Sequence, residues 1–377
     1  MAAVVFMADN PFPLSAARQP RGIVQVNGVR VDGWIRFEAD NNVYSEADTF
    51  RVTFALSALP LPYNDVFWST TNEIFIEIFA GFPVDPEAYT AGELKSLVYG
   101  RVDEVEYDPV ERQLHVSGRD LTAVLIDART TETFQNVTSS QVVATIAKRR
   151  GFTPVITMTK GYSGKYLQTD TVRMNTQRSE WDILTTLAAA EKFVVFVKGR
   201  ELHFQPLPPA GTNTYPLKWE PPTEQNGAFS FNGKSIQFRR ALNIAKGIVV
   251  EVIFTMPNKK GNFKVRYPNK ATGISVGQST ASSQLYQRRE EGITRDKALQ
   301  IAQQRHTEIT RHEVKINASL PADNVLAVTS LITVTGTGTA FDQTYYPESI
   351  VREMDINSGY TMTVSAKNHS PATVIAA

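Results

Sequence analysis

Hydrophobic and polar residues alternate with a period of two along the first third of the chain. The alternating apolar positions are Phe50, Val52, Phe54 and Leu56, followed by Ile74, Ile76 and Ile78. This period is typical of strands that have one dry and one wet face. Upstream, Asn27-Gly28 is the dipeptide favoured in type I′ hairpin turns, where both central residues have positive φ. Residues 22–128 are therefore predicted to form an antiparallel β structure, in the form of a barrel.

The spacing of apolar residues becomes typical of helices in parts of the segment 135–206. One apolar helical stretch ends just before Gly151, and glycine is common directly after a helix C-terminus. A second helix is predicted to begin at Ser179, which stands three residues before Asp182 in a near match to the capping box. An aromatic hairpin follows over 193–204. The segment is predicted to be a small α+β domain.

Strand patterns resume after a connector rich in proline and threonine at 207–223, with one polar helix near 295–312. The predicted fold class is mainly β with an α+β insertion. It has two barrel-like tube domains, at 1–134 and 207–377, and the α+β domain at 135–206. The second tube domain is predicted to carry the polar helix and a long loop.

Composition limits the possible functions. The chain has 377 residues, 42% of them hydrophobic, which suffices for two or three domains. Its 39 Lys and Arg nearly balance 38 Asp and Glu, so we expect no dedicated binding of nucleic acid or of anionic membranes. The absence of cysteine excludes disulfides, thiolate zinc sites and cysteine nucleophiles.

The N-terminal residues do not have the pattern of a targeting segment. Residues 1–14 lack a basic stretch and contain Pro11 and Pro13, so we expect no secretory signal. No stretch has the length and apolar character of a membrane-spanning helix. We expect synthesis and folding in a cytoplasm.

No motif predicts catalysis, a cofactor or a metal. His306 and His312 are six residues apart, which misses the i, i+4 spacing of two ligands on one helix face, so we expect surface histidines. Gly164-Lys165 lacks the preceding Gly and the following Ser or Thr of a phosphate loop. Adjacent carboxylates such as those at 103–104 diverge rather than converge on one bond. We therefore predict no catalytic, cofactor-binding or metal-binding residues.

One basic cluster remains as a candidate binding site. Its members are Lys259, Lys260, Lys264, Arg266 and Lys270. They lie in a segment with Pro, Asn and Gly that is typical of a long hairpin or loop. Two interpretations stay open: a solvated loop, or a surface that docks on an acidic neighbour in an assembly.

Several short segments, spread along most of the chain, together resemble a known protein family. They are Gly28-Val29 through Trp34, Asp48-Thr49-Phe50, Gly118-Arg119-Asp120-Leu121-Thr122, Ser179 to Ala190 with the aromatic hairpin after it, Tyr346 to Met354, and Gly359-Tyr360-Thr361. In this order and spacing they resemble the phage baseplate hub proteins of the late control protein D family. Those hubs are similar to the N-terminal half of type VI secretion spike proteins.

The resemblance implies a homotrimer in which each subunit contributes two barrel-like tube domains. Such a hub joins a hexameric tail tube to a trimeric central spike and has no enzymatic activity. The implied partners are the central spike protein, the tail tube or distal tail protein and other baseplate proteins. The implied location is the tail baseplate of a virion, after assembly in the host cytoplasm.

Two other classes of function remain open from the sequence. One is a peripheral tail module that binds a receptor or a carbohydrate, which would expose aromatic side chains for its ligand. The other is a tail-associated cell-wall hydrolase, which would need two converging carboxylates or a metal. The α+β segment between two β regions favours the hub over the receptor- or carbohydrate-binding module, and no motif supports the hydrolase.

Overall fold

In a computed structural model the chain forms a mainly β structure, as predicted. The structure describes residues 19–44, 46–132, 134, 137–160, 178–206, 214–224, 227–245, 248–256, 259–268, 284–290 and 293–369. The described residues divide into two compact units. The first unit comprises those of 1–210, 319–329 and 349–364, and the second those of 211–318, 330–348 and 365–377.

The first unit is built on an antiparallel sheet. Its strands are β1 (Arg21–Val26), β2 (Val29–Arg30), β3 (Trp34–Asn42), β4 (Thr49–Ala55), β5 (Phe75–Gly81), β6 (Lys95–Asp108) and β7 (Gln113–Asp120). One strand from late in the chain joins them through residues 349–355, in the order late strand, β3, β4, β7, β6, β5, β1, β2. Three 3-10 turns and a short helix α1 (Asp65–Thr70) lie in the connections, the turns at Leu56–Ala58, Leu61–Tyr63 and Ala91–Glu93.

The predicted alternation is confirmed in this sheet, because Phe50, Val52 and Phe54 are buried. Asn27 and Gly28 have φ of 50° and 81°, as a type I′ turn requires. The sheet also curls back on itself. A Cβ on Gly22 of β1 would lie 2.6 Å from the Phe37 ring in β3, although four strands separate β1 from β3 in the sheet.

The helical spacing corresponds to an α+β segment within the first unit. Its elements are α2 (Thr122–Asp127), β8 (Arg129–Thr130), α3 (Ser139–Arg149), β9 (Thr153–Ile156), β10 (Arg178–Ser179), α4 (Glu180–Glu191), β11 (Phe193–Lys198) and β12 (Glu201–Pro206). Ser179 and Asp182 form the predicted capping box, and Gly151 follows α3 with φ 76°. The hairpin of β11 and β12 is confirmed, and β9 pairs with β12 in parallel. Leu184 of α4 and Phe204 of β12 belong to one buried core.

The strands of the second unit lie in two sheets. Its elements are β13 (Thr214–Glu220), β14 (Ser230–Phe231), β15 (Ser235–Arg240), α5 (Leu242–Ala245), β16 (Ile248–Met256), β17 (Lys259–Tyr267), β18 (Gln284–Glu290), α6 (Arg295–Thr310), β19 (Val314–Pro321), β20 (Leu331–Thr335), β21 (Thr344–Asp355) and β22 (Gly359–Asn368). Strand order is β14-β13-β20-β21-β22-β19-β15 in one sheet and β17-β16-β18 in the other. The predicted polar helix is α6. Strands β19, β21 and β22 each contribute residues to both units.

The late strand that pairs with β3 in the first unit is β21. Arg352 of β21 is buried and donates to the carbonyl oxygens of Asp323 and Leu326 and to Asn41 Oδ1. These bonds fasten the loop at 319–329 to β3, two segments that are far apart in sequence.

No helix among the described residues has the length and hydropathy needed to cross a membrane.

Candidate assembly surfaces

The basic cluster lies on β17 of the three-stranded sheet. Lys259 and Lys260 begin the strand, and Lys264 and Arg266 follow within it, while Lys270 lies outside the described residues. The predicted hairpin is present, since β17 pairs antiparallel with β16. Residues 259–267 form a strand rather than a loop, and this strand packs against α6 through Val265 and its neighbours.

A buried carboxylate organises the two basic side chains that the structure describes. Glu251 of β16 has 0% of its side chain exposed, and its Oε2 accepts from Arg266 Nε at 2.6 Å. Lys264 Nζ lies 3.7 Å from Oε1, which also accepts from Gln287 Nε2 at 2.9 Å. The hydrogen bond from Arg266 lowers the pKa of Glu251 against the opposing effect of burial.

The cations themselves reach the solvent. The side chains of Arg266 and Lys264 are 54% and 59% exposed, although both neighbour a fully buried anion. Glu251 therefore fixes their positions while they remain free to meet a partner. A sequence signal for this group is the single Glu within the apolar run of β16.

The strand β17 has one basic face and one apolar face, and one of its edges pairs with no described strand. Lys264 and Arg266 alternate with Phe263, Val265 and Tyr267, which pack towards the core under α6. Among the described strands only β16 pairs with β17, and we call the opposite edge of β17 its free edge.

A second free edge belongs to β6 in the first unit. Pairing of β5 with β6 begins at Phe75 opposite Arg101, whereas pairing of β7 with β6 continues to Asp108. Residues 103–108 therefore extend past β5, and on that side no described strand covers them. We call this segment the acidic edge. Sequence reasoning missed it, although its alternation of acidic with apolar residues is the available signal.

The acidic edge is anchored at one end and open along the rest. Arg119 of β7 makes two hydrogen bonds to Asp103, at 2.6 and 3.1 Å. Glu104 and Glu106 are exposed and form no ion pair with any described residue. Tyr107, which faces the other side of the strand, is 47% exposed.

Two buried carboxyl groups lie close to each other in the first unit. Asp48 accepts from Asn41 Nδ2 and from the Asn42 amide, and burial raises its pKa to about 6. Asp120 accepts from the amide and hydroxyl of Thr122, the first residue of α2. Burial and the charge of Asp48 raise the pKa of Asp120 to about 8.

The expectation of surface histidines is wrong for His306. This side chain is 4% exposed and packs edge-to-face on Tyr267, with 5.2 Å between ring centroids. His312 is partly exposed and lies 3.8 Å from Glu348. Across the residues that the structure describes, no group of three or more His, Asp or Glu side chains is placed to hold a metal ion.

No protein-family model and no curated protein matches the sequence. Solved structures do match. The tail protein from Neisseria meningitidis MC58 aligns with a TM-score of 0.66 and 11% identity over 93% of this chain and 96% of that chain. For the 43 kDa tail protein of prophage MuSo2 from Shewanella oneidensis the TM-score is 0.64 and the identity 14%, over 92% of this chain and 98% of that chain.

The chain has the fold of these tail proteins. The E. coli c3393 protein, described as a component of the type VI secretion system, is also similar, with a TM-score of 0.51 and 11% identity over 94% of this chain and 79% of that chain. The mainly β fold implied by the resemblance to tail hubs and type VI spike proteins is thus confirmed. These identities are low, so the likeness concerns the fold.

Proposed function

We propose that the protein is a structural hub of a phage or phage-like tail baseplate, and that it assembles as a homotrimer. In this role it joins a hexameric tail tube to a trimeric central spike. The observation that supports the proposal best is the fold shared with two tail proteins over more than nine-tenths of both chains. A match of that extent involves the whole architecture rather than one common β domain.

The symmetry argument explains why such a chain needs two β-rich regions. If 1–134 and 207–377 each act as a tube domain, three copies present six similar bodies around an axis. One face of that ring then suits a hexameric tube and the other a trimeric spike. A closed ring of identical subunits also limits a heterologous contact to a finite assembly.

The role requires rigid packing of subunits rather than catalytic turnover. We therefore propose that the protein has no enzymatic activity. The proposed partners are the central spike protein, the tail tube or distal tail protein and other baseplate proteins. The proposed location is the baseplate of the tail.

Oligomeric state tests the proposal. We expect the purified protein, alone or with its spike partner, to have the mass of a trimer by multi-angle light scattering. Averaged electron micrographs of the same sample should show threefold symmetry and a central channel. A protein that stays monomeric with its spike partner present would contradict the proposed function.

A further inference from the structure

We propose that the acidic edge of one copy pairs with the free edge of β17 in the next copy and extends a sheet across the subunit boundary. The inference rests on the proposed trimer and names the surface that forms it. Both edges lack a strand partner among the described residues, and unpaired strand edges are templates for pairing with another chain.

The acidic edge specifies what kind of strand fits beside it. One face carries Glu104 and Glu106, which have no ion-pair partner among the described residues, so the added strand should be basic there. The opposite face carries Val105 and the half-exposed Tyr107, so the added strand should be apolar on that side. The occupant is therefore a strand with alternating basic and apolar residues.

This chain contains such a strand. In β17, Lys264 and Arg266 alternate with Val265 and Tyr267, and the cations are more than half exposed. Edge-to-edge pairing would place the cations beside Glu104 and Glu106 and would continue both apolar faces. Opposite charges on neighbouring strands stabilise a sheet, and like charges destabilise it. The complementarity favours a second copy of this chain as the occupant.

The contact is heterologous, because it joins two different strands. Each copy offers one acidic edge and one β17, so every copy binds a neighbour on each side. Such a contact closes into a ring when the rotation between copies allows it. A twofold dimer formed through a single strand pair, in contrast, would bring one strand against its own copy and place like charges together.

Disulfide cross-linking tests the pairing directly, since the chain has no cysteine of its own. One variant carries Glu106→Cys with Lys264→Cys, and a second carries Glu104→Cys with Lys264→Cys. The two variants test two registers of the pairing between the acidic edge and β17. Paired strands lie about 4.8 Å apart, within the Cα separation that a disulfide tolerates. The control carries Glu106→Cys with Lys198→Cys, which places the second thiol on the exposed end of β11.

We expect oxidation to give covalent trimers on a non-reducing gel for at least one test pair, and none for the control. Arg266 still pairs with Glu251 in all variants, and thermal unfolding verifies their fold. A trimer by light scattering without a disulfide in either test pair would overturn the edge pairing and leave the hub proposal intact. Absence of any trimer, also with the spike partner, would overturn both.

A charge variant tests the same contact without cysteine. Glu106→Lys should weaken the trimer at least tenfold at low salt, because it places a cation beside the cations of β17. Glu224→Lys makes the same change of charge at an exposed position in the second unit and should leave the trimer unchanged. Equal effects of the two substitutions would count against the pairing.

Discussion

A buried charge with exposed partners is the clearest feature at the scale of single residues. Glu251 is fully enclosed, yet its cations stand at the surface. Removing a cation leaves a buried carboxylate with too few hydrogen bonds, and such a group is costly. The two cations contribute unequally, because Arg266 makes a 2.6 Å hydrogen bond and Lys264 stays 3.7 Å away.

We expect Arg266→Gln to lower the free energy of unfolding by about 2 kcal/mol, the range of a hydrogen bond to a charged group. Lys264→Gln should cost less than about 1 kcal/mol, as a solvent-exposed ion pair does. The pKa of Glu251 is lowered, so the stabilisation is present above the unfolded pKa and is lost as pH falls. Urea denaturation measures both variants.

The control for this prediction is Arg288→Gln on the neighbouring strand β18, where the ion pair with Glu290 lies at the surface. Its effect should stay within about 0.5 kcal/mol. If Arg266→Gln and Lys264→Gln lower the free energy of unfolding equally, the prediction that Arg266 stabilises the buried carboxylate more than Lys264 is wrong.

The pair Asp48 and Asp120 has the opposite dependence on pH. Both pKa values are raised, to about 6 and about 8, whereas in the unfolded chain a carboxyl of this kind ionises near pH 4. Between about pH 4 and pH 8 the folded state therefore holds more protons than the unfolded state, and the free energy of unfolding decreases as pH rises.

We expect Asp120→Asn to raise the melting temperature relative to the wild type, with a gain that grows between about pH 5 and pH 8. The amide cannot ionise, so no charge is buried at high pH. Asp127→Asn, in the exposed part of α2, is the matched control for loss of one carboxylate. A gain that is the same at every pH would contradict the explanation.

At the scale of elements, the loop between β20 and β21 contains one backbone position that is restricted to glycine. Gly336 has φ 99°, and a Cβ there would lie 1.7 Å from the carbonyl oxygen of Trp219 in β13. Gly338 has φ 68° in the same loop with open space around it. Asp342 accepts from the amides of Thr337 and Gly338 and holds the loop in this shape.

Gly336→Ala should lower the free energy of unfolding by at least about 2 kcal/mol, since the new methyl group forces the β13 backbone to move. Gly338→Ala should cost about 1 kcal/mol, the effect of positive φ alone. Thermal unfolding of the two variants compares them. If the costs are equal, the close approach to Trp219 is not what selects glycine at position 336.

The elements that local rules govern were predictable from the sequence. Period-two alternation identified β4, the Asn27-Gly28 turn fixed the first hairpin, and the capping box located the start of α4. The pairing of β3 with β21 was not predictable, because no local pattern links strands some three hundred positions apart in the chain.

The candidate site was predicted less well than the fold. The basic residues were found by charge alone, and their anchor Glu251 was missed because burial depends on the neighbouring strands β17 and β18. His306 was misjudged for a similar reason. On α6 it continues a buried stripe with Ala298 and Ala302 at intervals of four, and the two small residues made that stripe look polar.

At the scale of the whole molecule, sheet edges connect the fold to the proposed assembly. A strand pair shares hydrogen bonds along its length, so the pairing of two such edges would join neighbouring copies of the proposed hub. The acidic edge and β17 offer such a contact at opposite charge, in a chain whose total charge is only +1. The chain as a whole is nearly neutral, although the acidic edge and β17 carry opposite charges.

The first unit recruits residues 349–364, which the ribosome adds more than three hundred residues after β1. A nascent chain consequently holds β3 without its neighbour β21 until residues 349–355 have been synthesised, and the bonds from Arg352 cannot form before that. Domains normally fold as they emerge during translation. Here the sheet of the first unit can be completed only after residues 349–364 have emerged, so a chain truncated before residue 349 would leave that edge of β3 without its partner strand.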